Sequence, residues 1–379
     1  MFRDVYRRYW CPIPPGIEPP PRKNSMIAVF DTFMTGWRYY FITLSILSIA
    51  VLLGSPTFFV SYGLFLIVSL SIHWLWGWAE IPFLGTSVPL MAGGLVISSI
   101  TTRIVYYLAY ISGIDMLSWS GSGWVENSEI NASLASEWLA SNLLTSIGLV
   151  LLSLFIAFII GGFTGWLTVR PALGKSTALI AIISYSLLDA GSWFALKVYQ
   201  LSGGYTGVYV PDLFSFAGEN GLNLLLFFVF FVIFVGLFGY DRLRGSSFGL
   251  DVKNKTDVAI QSQAVFLGCG LIGIAGCLLS IYYGYVVQAN FYGISWKLYP
   301  LLVLLVAGSS GGSGLVVGVL VLMGFQYLLT ITRPLSTQFI FFPVAYLHNI
   351  ELGLLIIFAC FYLAKRSQSN ESELEELEQ

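Results

Sequence analysis

Charge is what this sequence has least of. Charged residues make up 10% of its 379 positions, against roughly 25% in a soluble globular domain, and that shortfall excludes an ordinary soluble fold. The 18 Lys and Arg nearly balance the 20 Asp and Glu, and no nucleic-acid partner is expected. Cysteine is sparse too. Cys11, Cys269, Cys277 and Cys360 lie in one polar tail and in apolar runs, without a CxxC or Cys/His pairing, which speaks against a zinc site or a disulfide framework and for simple packing. The two histidines, His73 and His348, belong to no HExxH motif. GxSxG and paired intramembrane aspartates are also missing, and Asp189 has no acidic partner at helical spacing. "RPALGKST" ends like a phosphate-binding loop, but Val169 stands where that loop needs its first glycine. No catalytic residue, metal or cofactor is therefore expected, and the chain does not read as an enzyme. Residues 1–36 are polar, basic and proline-rich, unlike a cleavable signal peptide.

What is present is apolar sequence in long runs. Hydrophobic residues make up 56% of the chain and the mean hydropathy is +0.80. Runs of about 18 residues or more, each able to cross a hydrocarbon layer of about 30 Å as a helix, recur throughout. The candidate spans are 38–54, 57–79, 84–112, 141–168, 174–198, 220–240, 260–287, 296–308, 313–331 and 341–364. This predicts an all-α polytopic membrane protein of about ten transmembrane helices. A basic, proline-rich N-terminal segment 1–37 precedes the membrane domain 38–366, and an acidic tail 367–379 follows it. The basic residues Arg3, Arg7, Arg8, Arg22, Lys23, Arg38, Arg170, Lys175, Arg242, Arg244, Lys253, Lys255, Lys365 and Arg366 all fall on one side of these spans. By the positive-inside rule both termini are cytoplasmic, at a cell membrane. Arg103 is left inside a span, where it snorkels, pairs within the bundle or has a functional role. The segment 113–140 is external and carries the glycosylation sequon Asn131-Ala-Ser133.

Three segments interrupt the pattern. "WLWGWAEIPFLGTSVPLMAGG", residues 74–94, sets Glu80, Pro82 and Pro89 among glycines inside apolar sequence, and "VAGSSGGSGLVVG", residues 306–318, divides a second run. Helix breakers at membrane depth are tolerated where the freed backbone groups face protein or a water-filled cavity. Discontinuous helices of this kind line solute paths in many transporters. Gly77, Glu80, Gly85, Ser87 and Gly93 are the candidates from the first break, and Gly308, Gly314 and Gly318 from the second. The competing reading is that the glycines only permit close helix packing and that Glu80 is protonated or hydrogen-bonded in a structural role. The third segment, "QLSGGYTGVYVPDLFSF" at 200–216, offers Gly203, Gly204, Tyr205 and Gly207 either as a cap over a cavity or as a tight turn.

Taken in order, these segments resemble the permeases of branched-chain amino acid ABC importers, in particular the LivM-type subunit. "GWAEIPFLGTSVPLMAGGL" lies without a gap along that family's GYAGQLSLGHAAFFGIGAY, keeping Gly77, Ala79, Leu84, Gly85 and Gly93. "SGGYTGV" resembles its TGGxxG connection, "SSFGL" its SxFGR, and "QAVFLGCGLIGIAGCL" its LAFVLSAALAGLAGAL. "GKSTALIAIISYS" is similar to its fifth-span signature through Gly174 and Ala178, and its late glycine break falls on Gly308, Gly314 and Gly318. The resemblance spans residues 65–365. It implies a LivM-like architecture working with a second, LivH-like permease, two ABC ATPase subunits that hydrolyse the ATP, and an extracellular substrate-binding protein. Branched-chain or related amino acids are the implied solutes, with urea, amides or nucleosides as alternatives. Two departures matter. Glu80 stands where the family has glycine. The cytoplasmic loop after "SSFG" is about a dozen residues shorter, so that Phe248, Gly249, Asp257, Val258 and Ala259 are left as its ATPase-coupling candidates. The short loop keeps open a second reading, a non-transporting membrane scaffold with the permease fold; a standalone secondary transporter comes third, because there are few intramembrane charges.

Overall fold

The computed structural model describes residues 56–119, 123–254, 257–292 and 315–324, with single residues 296, 300, 302, 303, 327 and 353. Its framework is helical. Helix α1 (Pro56–Ile72) widens directly into a π-helical stretch, His73–Trp78. A non-helical segment, 79–86, leads to α2 (Ser87–Leu95), which passes through a second π-helical stretch, Val96–Thr101, into α3 (Thr102–Ile111). Next come α4 (Ser128–Ala140), α5 (Leu143–Val169), α6 (Thr177–Lys197) and the short α7 (Tyr199–Ser202). Strand β1 (Val208–Tyr209) and a 3-10 turn (Ser215–Asn220) lead to α8 (Gly221–Gly245), α9 (Ser247–Asn254) and α10 (Val258–Tyr283). Strand β2 (Tyr285–Val286), α11 (Ala289–Tyr292) and a helix at Leu315–Gly324 complete the described chain.

Among the described residues five helical segments are long and apolar enough to cross a membrane: Pro56–Trp78, Ser87–Ile111, Leu143–Val169, Ser215–Gly245 and Val258–Tyr283. They coincide with the predicted spans 57–79, 84–112, 141–168, 220–240 and 260–287. The predicted span 174–198 lies along α6, and the described helix Leu315–Gly324 falls within the predicted span 313–331. Spans 38–54 and 341–364, nearly all of 296–308, the N-terminal segment and the acidic tail lie outside the described residues, apart from Gly353.

Side-chain size explains the packing. On α5 the residues Leu151, Phe155, Ile159, Phe163 and Leu167 recur every four positions and are exposed, forming a lipid-facing stripe. The opposite stripe is small: Ala157, Gly161, Gly162 and Gly165 are buried against Phe266, Cys269 and Gly273 of α10. Small residues let helix backbones meet, and in lipid close contact replaces the hydrophobic drive that water supplies. The pairs run in opposite order, so α5 and α10 are antiparallel. Helix α1 is buried on nearly every side, as expected of a helix that is apolar all round and central. It runs parallel to α8, with Gly63 at Val229 and Leu70 at Gly236.

At one end of the bundle lie α4, the two-residue ladder Val208↔Val286 and Tyr209↔Tyr285, and the 200–220 connection. The other end is basic. Arg170 covers the Trp166 ring at 4.6 Å and Arg242 the Phe238 ring at 5.4 Å. Arg244 and Lys253 both stand over Trp78, at 4.6 and 4.3 Å. At the α4 end, Arg103 lies over the buried ring of Trp124 at 4.6 Å.

Candidate functional site: a broken hairpin inside the bundle

The non-helical segment 79–86 interrupts helix within the bundle. Its entry is anchored at the basic end. Trp74 donates its indole N–H to the Ala264 carbonyl and Trp78 to that of Gly249, each at 3.0 Å. The π-helical turn closes through Ala79 N–H to Trp74 C=O (2.9 Å) and Ile81 N–H to Leu75 C=O (2.8 Å). Glu80 follows, exposed, with φ of +54°. An L side chain in that left-handed region is strained, whereas glycine is not. This accounts for the glycine that the resembling permeases carry there.

From Glu80 the chain turns back into the interior. Leu84 N–H donates to Ser184 Oγ at 3.0 Å, and a Cβ added to Gly85 would lie 2.7 Å from the Ser184 carbonyl oxygen. Ser184 is the eighth residue of α6. Helix α2 then packs against the central part of α10, with Leu90 at Gly276 and Gly93 at Gly273. The first turn of α2 thus starts within the bundle, well away from either end.

The end of a helix at that depth leaves groups to satisfy. Thr86 precedes α2 but does not cap it; its hydroxyl donates to the Trp296 carbonyl at 2.9 Å. Pro89, at the third helical position, has no N–H to be capped. Val88 N–H reaches Gly85 C=O at 3.0 Å and Leu90 N–H reaches Thr86 C=O at 3.2 Å, while Thr86 and Ser87 N–H meet no acceptor among the described residues. The Ser87 hydroxyl is buried and has no hydrogen-bond partner there either. The same holds for Ser69 on α1. Phe65, one turn before Ser69 on the same face, stacks on the Trp296 ring at 4.1 Å. Tyr62, a further turn back, donates to Val316 C=O at 3.1 Å. One stripe of α1 therefore faces Trp296 and the start of the Leu315–Gly324 helix.

The sequence-derived candidates separate into three places. Gly85, Ser87 and Gly93 are interior; Gly77 and Glu80 are exposed at the basic end. Gly203, Gly204 and Gly207 lie at the opposite end, all with positive φ (69°, 62° and 72°), in a tight turn. Thr206 closes that turn onto the Gly203 carbonyl, and the Tyr285 hydroxyl donates to Thr206 C=O. Burial, and secondarily Tyr209 beside it, raises the Tyr285 pKa, so the hydroxyl keeps the proton it donates. Tyr205 projects from the turn, 83% exposed. Gly318 is buried on the Leu315–Gly324 helix, and Gly308 and Gly314 lie outside the described residues. Tyr62, Ser69, Trp296 and the two π-helical stretches were not anticipated. Serines in apolar helices carry no periodic signal, and π turns have no sequence signature of their own.

The coupling candidates share the basic end. Phe248 stacks with Trp74 at 6.4 Å, and Gly249 supplies the carbonyl that Trp78 uses. Asp257 caps α10, its Oδ1 accepting from Ala259 N–H at 3.0 Å, and Asp257, Val258 and Ala259 are all exposed. Asn131 is not available as a glycan acceptor in this fold. It is fully buried on α4, its amide bonded both ways to the Leu117 backbone at 2.8 and 2.7 Å.

Long apolar helices enclosing unwound backbone define the chain as an integral, multi-pass helical membrane protein. It is 25% identical over 317 residues to the probable branched-chain amino acid transport permease protein LivM of Methanocaldococcus jannaschii, covering 79% of this chain and 89% of that one. The likeness to LivM-type permeases read from the ordered motifs thus extends over most of both chains. No protein-family model and no solved structure matches the chain.

Proposed function

We propose that this chain is the membrane-spanning permease subunit of an ATP-binding cassette importer for branched-chain or related amino acids. It works in a cell membrane, with cytoplasmic termini, beside a second permease, two ATPase subunits and an external binding protein. The observation that carries this reading is the broken hairpin: backbone unwound halfway through a bundle, in a chain similar along most of its length to a transport permease. Gly77, Glu80, Gly85, Ser87, Gly93 and Gly318 belong to the solute path or its walls, and the 203–207 turn closes its external end.

Coupling is local in this scheme. Helix α9 grips both tryptophans on the near side of the break, through the Phe248–Trp74 stack and the Trp78–Gly249 hydrogen bond. A push on α9 from an ATPase reaches residues 79–86 through one layer of side chains, the kind of packed contact that switches between discrete arrangements. The exposed Asp257, Val258 and Ala259 complete the docking surface. The shortness of this element favours a second reading, a scaffold subunit that assembles without transporting.

The test is ATP hydrolysis and uptake by the assembled complex in liposomes, with amino acids and amides titrated through the binding protein. Stimulation by one solute class that needs this chain supports the importer. Assembly with no stimulation by any solute supports the scaffold.

A further inference from the structure

Of the buried hydroxyls that lack hydrogen-bond partners among the described residues, two, Ser69 Oγ and Ser87 Oγ, belong to residues within a helical turn of one that contacts Trp296. Ser87 opens α2 immediately after Thr86, which holds the Trp296 carbonyl; Ser69 sits one turn from Phe65, which stacks on the Trp296 ring. Beside Ser87 Oγ are the Thr86 and Ser87 amides, also without acceptors among the described residues. A buried polar group left unpaired is costly, so such groups usually serve something.

We propose that Ser87 and Ser69, with the amides that open α2, bind the carboxylate of the transported amino acid. The inference rests on the permease reading and adds to it the part of the solute that this break recognises. The sign of the site decides the ligand group. Backbone N–H groups can only donate, and serine hydroxyls can donate. The end of α2 that they surround is the positive end of its dipole, favouring an anion inside a bundle where water is scarce. The acidic group of the hairpin, Glu80, is exposed at the basic end and does not oppose it. A substrate ammonium would find no such match here. Thr86 cannot take Ser87's place, because its hydroxyl is committed to Trp296.

The test uses the full chain with the subunits that copurify with it, in nanodiscs and without the binding protein, so that the membrane site is read directly. L-leucine and L-leucinamide are the probes. Ser87→Ala should weaken leucine binding about tenfold or more, the scale of a lost hydrogen bond to a charged group. Ser87→Thr should keep it, Ser69→Ala should weaken it less, and leucinamide binding should not respond to Ser87→Ala. The unliganded melting temperature of Ser87→Ala should not fall, since the variant removes an unpaired buried hydroxyl; this separates lost recognition from lost fold. Leucine binding unchanged in both alanine variants would overturn the inference, leaving the hydroxyls to a buried water and the permease reading intact. A wild-type assembly that neither binds nor transports leucine or its amide would remove the amino acid permease reading itself, and this inference with it.

Discussion

Gly93 of α2 and Gly273 of α10 meet backbone to backbone: a Cβ on Gly93 would overlap the Gly273 carbonyl. Gly161 of α5 reaches the same point, where its Cβ would stand 2.7 Å from Gly273 Cα. Three helices converge on one residue without a side chain, and the half-helix after the break is held by this contact. Gly273→Ala and Gly93→Ala should each destabilise the protein by about 1–3 kcal/mol, the cost of overpacking a site whose neighbours are backbone. Gly148 and Gly239 have nothing within 4 Å of a built Cβ, so alanine there should be neutral or slightly stabilising in a helix. Thermal unfolding of the four variants in one detergent checks the contrast. Equal effects at all four positions would contradict the three-helix contact.

Glu80 gives a prediction of opposite sign. Because its φ is +54°, Glu80→Gly should stabilise the fold by about 1 kcal/mol, and Glu80→Val should destabilise it by a similar amount or more. Glu80→Gln keeps the backbone strain and removes only the charge. If the carboxylate takes part in the solute path, Gln and Gly should both alter uptake affinity or its pH dependence while membrane insertion stays intact. Transport that is unchanged in both variants over the pH range would confine Glu80 to its turn.

Glycine at 93 was read as a path residue or as a packing residue, and spacing alone does not separate the two, because the partner, Gly273, is 180 positions away. Glu80 was read from its charge, whereas its backbone angle explains why the resembling chains have glycine. Long apolar helices were legible from length and hydropathy, which report on a single segment. The depth at which α2 begins was not, since it depends on Ser184 packing against the break and Gly276 against Leu90 of α2. The sequon at Asn131 was misleading for the same reason: a three-residue pattern carries no burial.

That asparagine makes a separate stability prediction. Its amide satisfies both the N–H and the C=O of Leu117, so Asn131→Ala should cost about 2 kcal/mol by leaving two backbone groups unpaired. Asn131→Asp should cost more, because it also sets a carboxylate oxygen against the Leu117 carbonyl at a fully buried position. Mass spectrometry of the protein from a glycosylating host should show no glycan at 131, and a modified, stably folded protein would contradict the burial of α4.

The coupling end is best probed at Trp78 and Ala259. Asp257 is a poor first choice despite its exposure, because it caps α10 and its replacement would cost about 1 kcal/mol of helix stability whatever it does for docking. Ala259→Arg adds bulk and charge to an exposed position in the first turn of α10 and leaves the cap side chain in place. In the assembled complex it should lower solute-stimulated ATP hydrolysis if an ATPase seats there, with normal amounts of complex recovered. Trp78→Phe acts one layer further in. It keeps an aromatic ring for Arg244 and Lys253 but removes the N–H that holds the Gly249 carbonyl, worth about 1 kcal/mol. Its expected signature is different: ATP hydrolysis persists while uptake per ATP falls, because the push on α9 no longer reaches the break. Unchanged stoichiometry in Trp78→Phe, with the complex intact, would mean that the signal travels through the Phe248–Trp74 stack alone or enters by the partner permease.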